Sequence, residues 1–151
     1  MMIRGMKEED SKQVSELGQR CGLNPWTEKS YREEVQNQLS RYIILEIDDK
    51  IIGFVGIWCV VDEAQIMNIG IDPRFQSQGY GKKLMQEIFS IAREEGCLTM
   101  TLEVKTSNRV ARQMYQSMGF ELIGIRKKYY PDNSDCMLMC KTLCDTEGDK
   151  N

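Results

Sequence analysis

The most informative absence in this sequence is histidine, which does not occur among its 151 residues. Without histidine the chain cannot carry out a Ser-His-Asp or Cys-His mechanism, and it cannot build a histidine-ligated zinc site. Any general base must therefore be a carboxylate, a tyrosine, a lysine or a water molecule.

A broad basic surface and a long apolar run are also missing. The net charge of −3 and the pI near 5.2 argue against binding nucleic acid through its phosphates. The longest nearly apolar run, Ile51 to Val61, has 11 residues, whereas about 20 are needed to span a bilayer. The first ten residues turn charged at once and contain no apolar signal segment. We therefore expect a cytoplasmic protein that contacts neither a membrane nor nucleic acid directly.

Paired cysteine motifs are absent as well, although the chain has six cysteines. Cys136, Cys140 and Cys144 recur every four residues, but without a CxxC pair or a histidine they do not make a typical metal site. We expect reduced thiols and no metal. Cys59, Cys97 and Cys136 fall in strand-like runs and are expected to be small buried hydrophobes.

Composition and length favour one globular domain. Apolar residues make up 41% and charged residues 28% of the chain, which is typical of soluble globular proteins. A chain of this length can bury one core that closes over a small-molecule site. We predict a single domain over residues 1–144, a polar tail over residues 145–151, and a monomer.

Hydrophobic periodicity can be followed along most of the chain and gives the order β-α-α-β-β-β-α-β-α-β-β. Strands are predicted over residues 3–6, 42–47, 51–60, 65–71, 98–104, 120–130 and 136–143. Helices are predicted over residues 10–20, 28–39 and 109–118, with a longer one between the glycine-bearing loop at 74–81 and Gly96. Thr27 and Asn108 are predicted N-caps, and a turn is predicted at Asn24-Pro25. Parallel pairing is possible only between 65–71 and 98–104, where a helix crosses over, so we predict an α/β protein with a mixed sheet.

The loop Gln76-Ser77-Gln78-Gly79-Tyr80-Gly81 follows a predicted strand and opens the long helix. Glycines at such a place let the backbone approach a ligand closely, and the free N–H groups of a helix N-terminus favour an anion such as a pyrophosphate. Neither the dinucleotide pattern nor the P-loop fits, because the chain has Leu84 and Lys83 where they need Gly and Ser or Thr. On this loop alone, a plain strand-to-helix turn remains an alternative.

The pattern Gln-x-x-Gly-x-Gly, after a strand ending Asn68-Ile69-Gly70-Ile71-Asp72-Pro73, resembles the acetyl-CoA signature of the GCN5-related N-acetyltransferases. Within that superfamily, further segments resemble the ribosomal-protein-alanine N-acetyltransferases: NPWT at 24–27, LEVKTSN at 102–108, MYQSMGF at 114–120 and RKKYYP at 126–131. The resemblance covers nearly the whole chain in the same order.

The resemblance implies a fold and an activity. The fold is a central mixed sheet of six to seven strands, flanked by about four helices and split between its two parallel central strands. The activity is direct transfer of acetyl from acetyl-CoA, within a ternary complex, to the N-terminal amine of a protein. The resemblance points to the N-terminal alanine of a small-subunit ribosomal protein.

The resemblance also assigns site residues. Glu103 matches the family's general base and Tyr115 its general acid. Trp26, Tyr129 and Tyr130 match segments that line the acceptor groove. Contacts to acetyl-CoA are implied for Ile69, Gly70, Ile71, Ser77, Gln78, Gly79, Tyr80, Gly81, Lys82 and Asn108. A backbone N–H near 69–71 is the expected oxyanion donor.

The chain departs from the family at three places. Gly70 stands where a larger apolar residue is usual, and Tyr80 replaces a common aliphatic residue. The turn at 132–135 is shorter than in many relatives, which leaves the fine acceptor specificity open.

Alternatives remain for the site residues and for the function. From position alone, Glu103 could be a surface carboxylate, and Tyr115 could be a core residue because Ala111 and Met118 share its helix face. A lysine or small-amine acetyltransferase of the same fold is one alternative function. A noncatalytic CoA-binding module is another, but it would require the loss of Glu103 or Tyr115, and both are present.

Overall fold

Seven strands form a single mixed sheet in the computed structural model, which describes residues 1–22 and 26–143. The strands are β1 (Met2–Gly5), β2 (Ser40–Ile47), β3 (Lys50–Val60), β4 (Glu63–Ile71), β5 (Thr99–Lys105), β6 (Glu121–Arg126) and β7 (Cys136–Thr142). The helices are α1 (Ser11–Arg20), α2 (Glu28–Gln36), α3 (Tyr80–Glu94) and α4 (Arg109–Ser117), with short 3-10 turns at Glu8–Asp10 and Pro73–Phe75. This confirms the predicted element order and mixed α/β sheet. The predicted turn at Asn24-Pro25, Cys144 and the tail at 145–151 lie outside the described residues.

The strand order across the sheet is β1-β2-β3-β4-β5-β7-β6. Neighbouring strands are antiparallel except β4 and β5, whose parallel pairing extends only from Glu63–Gln65 on β4 to Thr99–Thr101 on β5. After these three residues the two strands part, as the resemblance implied. A β-bulge at Met67 bends β4 at the start of the unpaired stretch, because Gly56 and Ile57 of β3 face Asn68 and Ile66.

Local sequence signals set most element ends. Thr27 caps α2 by accepting a hydrogen bond from the Ser30 N–H at 3.1 Å, and Asn108 caps α4 by accepting one from the Ala111 N–H at 3.2 Å. Both predicted N-caps are therefore confirmed. Gly119, with φ of 98°, follows α4 in a left-handed conformation that favours glycine.

Two predicted elements were too long. The helix predicted over 28–39 ends at Gln36, because Asn37 is extended and its side chain accepts the Leu39 N–H at 2.9 Å. The strand predicted over 120–130 ends at Arg126, because Lys128 has φ of 50° and donates its N–H to Asp135 at 3.0 Å. In both cases a polar side chain takes up a backbone donor and replaces the regular pattern.

The two faces of the sheet carry different cores. Helix α3 covers one face, where Leu84, Met85 and Ile88 pack with buried residues of β3, β4, β5 and β7. Helices α1 and α2 pack on β2, β3 and β4 of the opposite face, around the buried rings of Tyr31 and Phe54. None of the helices within 1–22 and 26–143 is long and apolar enough to cross a membrane.

The described cysteines, Cys21, Cys59, Cys97, Cys136 and Cys140, are free thiols, as predicted. Cys97 and Cys136 are buried, but Cys59 is partly exposed. Cys136 and Cys140 lie on one strand, where four residues span about 13 Å, too far for one metal ion to bind both.

We predict that Gly56→Ala destabilises the fold. A methyl group at Gly56 would lie 2.1 Å from the Tyr42 ring, which is itself packed against Trp26 and Tyr31. The expected loss is about 1 to 3 kcal/mol in the free energy of unfolding, measured by urea denaturation. Gly5→Ala is the matched control, because a methyl group there has nothing within 4 Å. Equal urea midpoints for the two variants would contradict this prediction.

Candidate active site

The parting of β4 and β5 is the centre of the candidate site. Beyond Gln65 and Thr101, the edges of these strands that face each other are not paired in the ladder. Buried backbone groups need partners, so these edges favour a ligand with amide groups of its own lying between the strands. The predicted contact residues Ile69, Gly70 and Ile71 all lie in this part of β4. The Ile71 carbonyl already accepts hydrogen bonds from Cys21 Sγ at 3.2 Å and Gln76 Nε2 at 3.1 Å.

The glycine-bearing loop leads from the end of β4 into the N-terminus of α3. Ser77 and Gly79 have φ of 65° and 88°, and Gly79 is the N-cap of α3. Left-handed residues in such a loop turn successive N–H groups towards one side, and the first N–H groups of a helix have no partner within it. The loop can therefore hold an anion, and its exposed residues Ser77, Gln78, Gly79 and Lys82 are accessible to one.

Tyr80 and Gly81, at the start of α3, have packing roles. The Tyr80 ring lies 6.4 Å from the Phe75 ring, and both are partly buried against the α3 core. This contact accounts for an aromatic residue where the family usually has an aliphatic one. A methyl group at Gly81 would lie 3.4 Å from the sulfur of Met114, so glycine lets α4 approach α3 closely.

The loop is anchored by the buried carboxylate of Asp72. Asp72 Oδ1 accepts the Arg74 N–H at 2.9 Å, while Oδ2 accepts from the guanidinium groups of Arg74 at 3.1 Å and Arg20 at 3.3 Å. These contacts, led by the Arg74 side chain, lower the pKa of Asp72 to about 2. Asp72 therefore ties α1 to the turn that precedes the glycine-bearing loop.

A groove of about 470 Å³ lies along α3, with Lys82 as its lining residue nearest in sequence to the loop. Its lining includes three cations, Lys82 and Arg93 on α3 and Lys141 on β7. The Lys141 ammonium also lies 5.2 Å from the centre of the Phe89 ring. The groove therefore extends the positive charge of the loop along α3.

Glu103 lies in the middle of β5, on the face covered by α1 and α2. Thr101 lies two positions earlier on β5, so its side chain shares a face with that of Glu103. Thr101 pairs with Gln65 of β4, and Gln65 pairs with Trp58 of β3, so Trp58 also lies on this face. The Trp58 indole donates to Glu34 of α2 at 2.6 Å, which identifies this face. The Glu103 side chain is 28% exposed.

The Glu103 carboxylate has two donors on one oxygen. Arg126 donates to Oε2 at 3.2 Å and the Tyr129 hydroxyl donates to the same oxygen at 3.3 Å. The Arg126 guanidinium also lies 5.4 Å from the centre of the Tyr129 ring. No described residue donates to Oε1, so this oxygen can accept a further proton or hydrogen bond.

Tyr115 lies on the opposite face of the sheet from Glu103. It projects from α4 into the α3 core, which also contains Leu102 and Val104 of β5, and its ring lies 5.7 Å from that of Phe120. Burial raises the pKa of its hydroxyl to about 12, so it stays protonated at neutral pH. Tyr115 is packed as a core residue, as the alternative interpretation predicted, and this packing does not exclude a role for its hydroxyl.

Trp26, Tyr129 and Tyr130 all belong to the Glu103 face. Trp26 packs against the core beneath α1 and α2, with its ring 5.3 Å from that of Tyr31 and 6.4 Å from that of Tyr42. Tyr129 and Tyr130 form an edge-to-face pair 5.1 Å apart, and Lys105 lies 5.3 Å from the Tyr130 ring. Among the described residues, Trp26 has no ring contact with Tyr129 or Tyr130, so these aromatic groups form two separate sets.

The sequence does not predict the contact of Arg126 with Glu103 or the contacts of Arg20 and Arg74 with Asp72. Arg126 falls within a segment that resembles the family, and Asp72 stands at the end of a predicted strand. The signal for Asp72 was the Asp-Pro-Arg order, since an Asp before a 3-10 turn can cap it. The 23-residue separation between Glu103 and Arg126 left no local signal. Asn108 is exposed and caps α4, so its predicted contact with acetyl-CoA remains a prediction.

Comparison with known proteins connects this geometry to a family. Residues 11–120 match the model of the acetyltransferase (GNAT) family. A Haemophilus ducreyi protein named ribosomal protein bS18-alanine N-acetyltransferase is 38% identical over 132 residues, which cover 86% of this chain and 89% of that protein. The crystal structure of the ribosomal-protein-S18-alanine N-acetyltransferase from Escherichia coli superimposes with a TM-score of 0.89 at 30% identity, covering 96% of this chain and 95% of that one.

A more distant structure shares the fold. PaiA N-acetyltransferase from Thermoplasma acidophilum, solved in complex with coenzyme A, has a TM-score of 0.79 at 18% identity and covers 93% of this chain and 98% of that one.

We predict that Asp72→Asn lowers stability by about 2 kcal/mol near pH 7, because it removes the charge that two guanidinium groups contact. The folded-state pKa of Asp72 lies below its ordinary value of 3.8, so the carboxylate contributes stability above about pH 4. The difference between wild type and Asp72→Asn should shrink as the pH falls from about 4 to about 2. Urea denaturation across this range measures it, with exposed Asp62→Asn as control. A difference that stayed constant with pH would refute the ionic role of Asp72.

Proposed function

The chain belongs to the acetyltransferase (GNAT) family, and on that premise we propose that it transfers the acetyl group of acetyl-CoA to the N-terminal amine of a ribosomal protein, with alanine as the acetylated residue. Relatives similar over most of the chain carry the corresponding name, which supports this acceptor. We infer that it acts as a single-domain monomer in the cytoplasm, where ribosomal proteins are synthesised.

The observation that carries the mechanism is that Glu103, on β5 beyond its last pairing with β4, and Tyr115, in the α3 core, belong to opposite faces of the sheet. Acetyl transfer to an amine removes a proton from the attacking nitrogen and leaves negative charge on the departing sulfur. A carboxylate on one face and a hydroxyl on the other fit these two requirements.

The residues present fit acetyl-CoA, which supplies an activated acetyl thioester when bound. The unpaired edge of β4 at Ile69, Gly70 and Ile71 suits the amide-bearing pantetheine arm. The loop at 77–82 suits the pyrophosphate, and the cations Lys82, Arg93 and Lys141 suit further phosphate charge. In the proposal, a backbone N–H of this part of β4 also donates to the thioester carbonyl oxygen.

Glu103 acts as the base in this proposal. Oε2 is held by Arg126 and Tyr129, so Oε1 is the oxygen that accepts the amine proton, directly or through a water molecule. Trp26, Tyr129 and Tyr130, on the same face, are proposed to line the path of the acceptor peptide. Little basicity is required, because an α-amino group with a pKa of about 7.7 to 8.0 is roughly 10 to 20% neutral at pH 7.

Tyr115 is proposed to donate its hydrogen bond to the departing sulfur. An acid with a pKa of about 12 would give up its proton completely to a thiolate of pKa about 8.5 only at a cost of about 5 kcal/mol. The hydroxyl therefore stabilises the charge on sulfur mainly as a hydrogen-bond donor. The thiolate can take its proton from solvent as the product leaves.

The alternative of lysine acetylation uses the same elements with a different acceptor. A lysine with a pKa of about 10.4 is neutral in well under about 1% of molecules at pH 7, so it would need a site that attracts an ammonium and then removes its proton. The Arg126 guanidinium already lies beside Glu103, so the site has little attraction for an ammonium. This favours an α-amine, which is neutral more often than a lysine side chain. A noncatalytic CoA-binding module would be indicated by the loss of Glu103 or Tyr115, and the chain has both residues.

We predict that the protein acetylates a peptide with a free N-terminal alanine and does not acetylate the same peptide with a blocked N-terminus and an internal lysine. Thiol release from acetyl-CoA and peptide mass measure both reactions. Acetylation of the lysine peptide alone would move the assignment to a lysine acetyltransferase. Binding of acetyl-CoA without acetylation of either peptide would favour the noncatalytic module.

We predict that Glu103→Gln lowers kcat about 100-fold and Tyr115→Phe at least 10-fold, because each removes a group that acts on the reacting atoms. The dissociation constant for acetyl-CoA should stay within about twofold in both variants. Glu121→Gln, an exposed carboxylate at the start of β6, is the matched control and should keep wild-type kcat. Wild-type kcat in either Glu103→Gln or Tyr115→Phe would exclude the role assigned to that residue.

A further inference from the structure

The arginine beside the proposed base is the feature of this site that the family assignment leaves unexplained. Arg126 and Tyr129 both donate to the Oε2 atom of Glu103, at 3.2 and 3.3 Å. The Arg126 guanidinium also makes a cation–π contact with the Tyr129 ring. The three groups close a triangle, so the guanidinium is held beside the carboxylate by two independent contacts.

The register of the sheet produces this arrangement. Arg126 of β6 pairs with Cys136 of β7, which pairs with Lys105 of β5, so these three residues form one row across the sheet. Glu103 belongs to the neighbouring row, where β6 contributes Gly124. Because glycine has no side chain in that row, the Arg126 side chain can reach diagonally to Glu103.

The charges around Glu103 balance without a substrate. The Arg126 guanidinium forms an ion pair with the Glu103 carboxylate at 3.2 Å, so a positive charge already lies beside the negative one. A second cation, Lys105 in the next row of β5, is paired with Asp132 at 3.1 Å. Two further groups described on this face are Tyr130 and Cys136, and burial raises the pKa of both, so they add no charge near pH 7. An incoming amine therefore meets a site with no net charge to attract an ammonium.

We propose that Arg126 is a specificity-determining residue, whose fixed positive charge beside Glu103 makes the acceptor site select a neutral amine over an ammonium. This inference rests on the proposed function and extends it. Selection of the neutral form is also selection of an α-amine over a lysine side chain, because at pH 7 the neutral fraction of an α-amine is about 300-fold larger.

A site that admits only the neutral amine has a measurable signature in binding. Coenzyme A without its acetyl group cannot react, so peptide binding to the enzyme with coenzyme A present can be followed at equilibrium. For an α-amine of pKa about 7.8, the neutral fraction rises about 20-fold between pH 6.5 and 8.5. The Kd of an alanine-starting peptide should fall by the same factor in the wild-type protein.

The decisive variant is Arg126→Gln, which removes the charge. Its Kd for the alanine-starting peptide should change less than about threefold between pH 6.5 and 8.5, because the ammonium can now bind beside Glu103. Its preference for the free α-amine peptide over the blocked lysine peptide, measured as a ratio of kcat/KM, should fall at least tenfold.

Two further variants separate charge from packing. Arg126→Lys keeps the charge and should keep the pH dependence of Kd, even if its different geometry lowers kcat. Lys127→Gln removes a neighbouring charge whose side chain contacts Asp135, and it should behave as wild type. Thermal unfolding of each variant checks that the fold is retained.

The outcomes distinguish this inference from the proposed function. If the wild-type protein does not acetylate the alanine-starting peptide, the proposed function fails and this inference fails with it. If the wild type acetylates that peptide but Arg126→Gln keeps the wild-type pH dependence and preference, only the role of Arg126 is overturned. Loss of the pH dependence in Arg126→Lys as well would assign Arg126 a structural role and overturn the charge argument.

Discussion

The parting of β4 and β5 is the constraint on which the rest of the site depends. Parallel strands that stayed paired would bury their backbone groups in the ladder and leave nothing between them for a ligand. Here the ladder stops after three residues, and the bulge at Met67 turns β4 away from its partner. The cost is a strand edge without partners, and a ligand with amide groups can satisfy it. The same parting gives a reacting group access to both faces of the sheet.

Each side of this opening has its own electrostatic character. The α3 side carries the glycine-bearing loop, the cations Lys82, Arg93 and Lys141, and a buried tyrosine, and in the proposed mechanism these groups face the phosphates and the developing negative charge. The opposite side carries a carboxylate whose charge is balanced by Arg126. Asp72 links α1, through Arg20, to the turn that precedes the glycine-bearing loop.

Local signals in the sequence were enough for the element order and the mixed sheet, the split between the parallel strands was implied by the family resemblance, and long-range side-chain contacts could not be predicted. Thr27, Asn108 and Gly119 each act within three residues of their own position, so their roles as caps and stops could be predicted. The ends at Gln36 and Arg126 depend on side chains of Asn37 and Asp135 that take backbone donors, and periodicity does not register such bonds. The positions of Glu103 and Tyr115 followed from the resemblance. The contact between Glu103 and Arg126 required the register of three strands.

The absence of histidine is consistent with this division of the chemistry. In a Ser-His-Asp mechanism one imidazole first accepts a proton and later gives it to the leaving group, so its pKa must lie near the working pH. In the proposed mechanism no group does both. Glu103 only accepts, on one face, and Tyr115, whose pKa is raised by burial, only donates, on the other, so a carboxylate and a phenol are sufficient. In this proposal the proton acceptor and the hydrogen-bond donor lie on opposite faces of the split sheet. No single residue has to perform both roles, so histidine is not required.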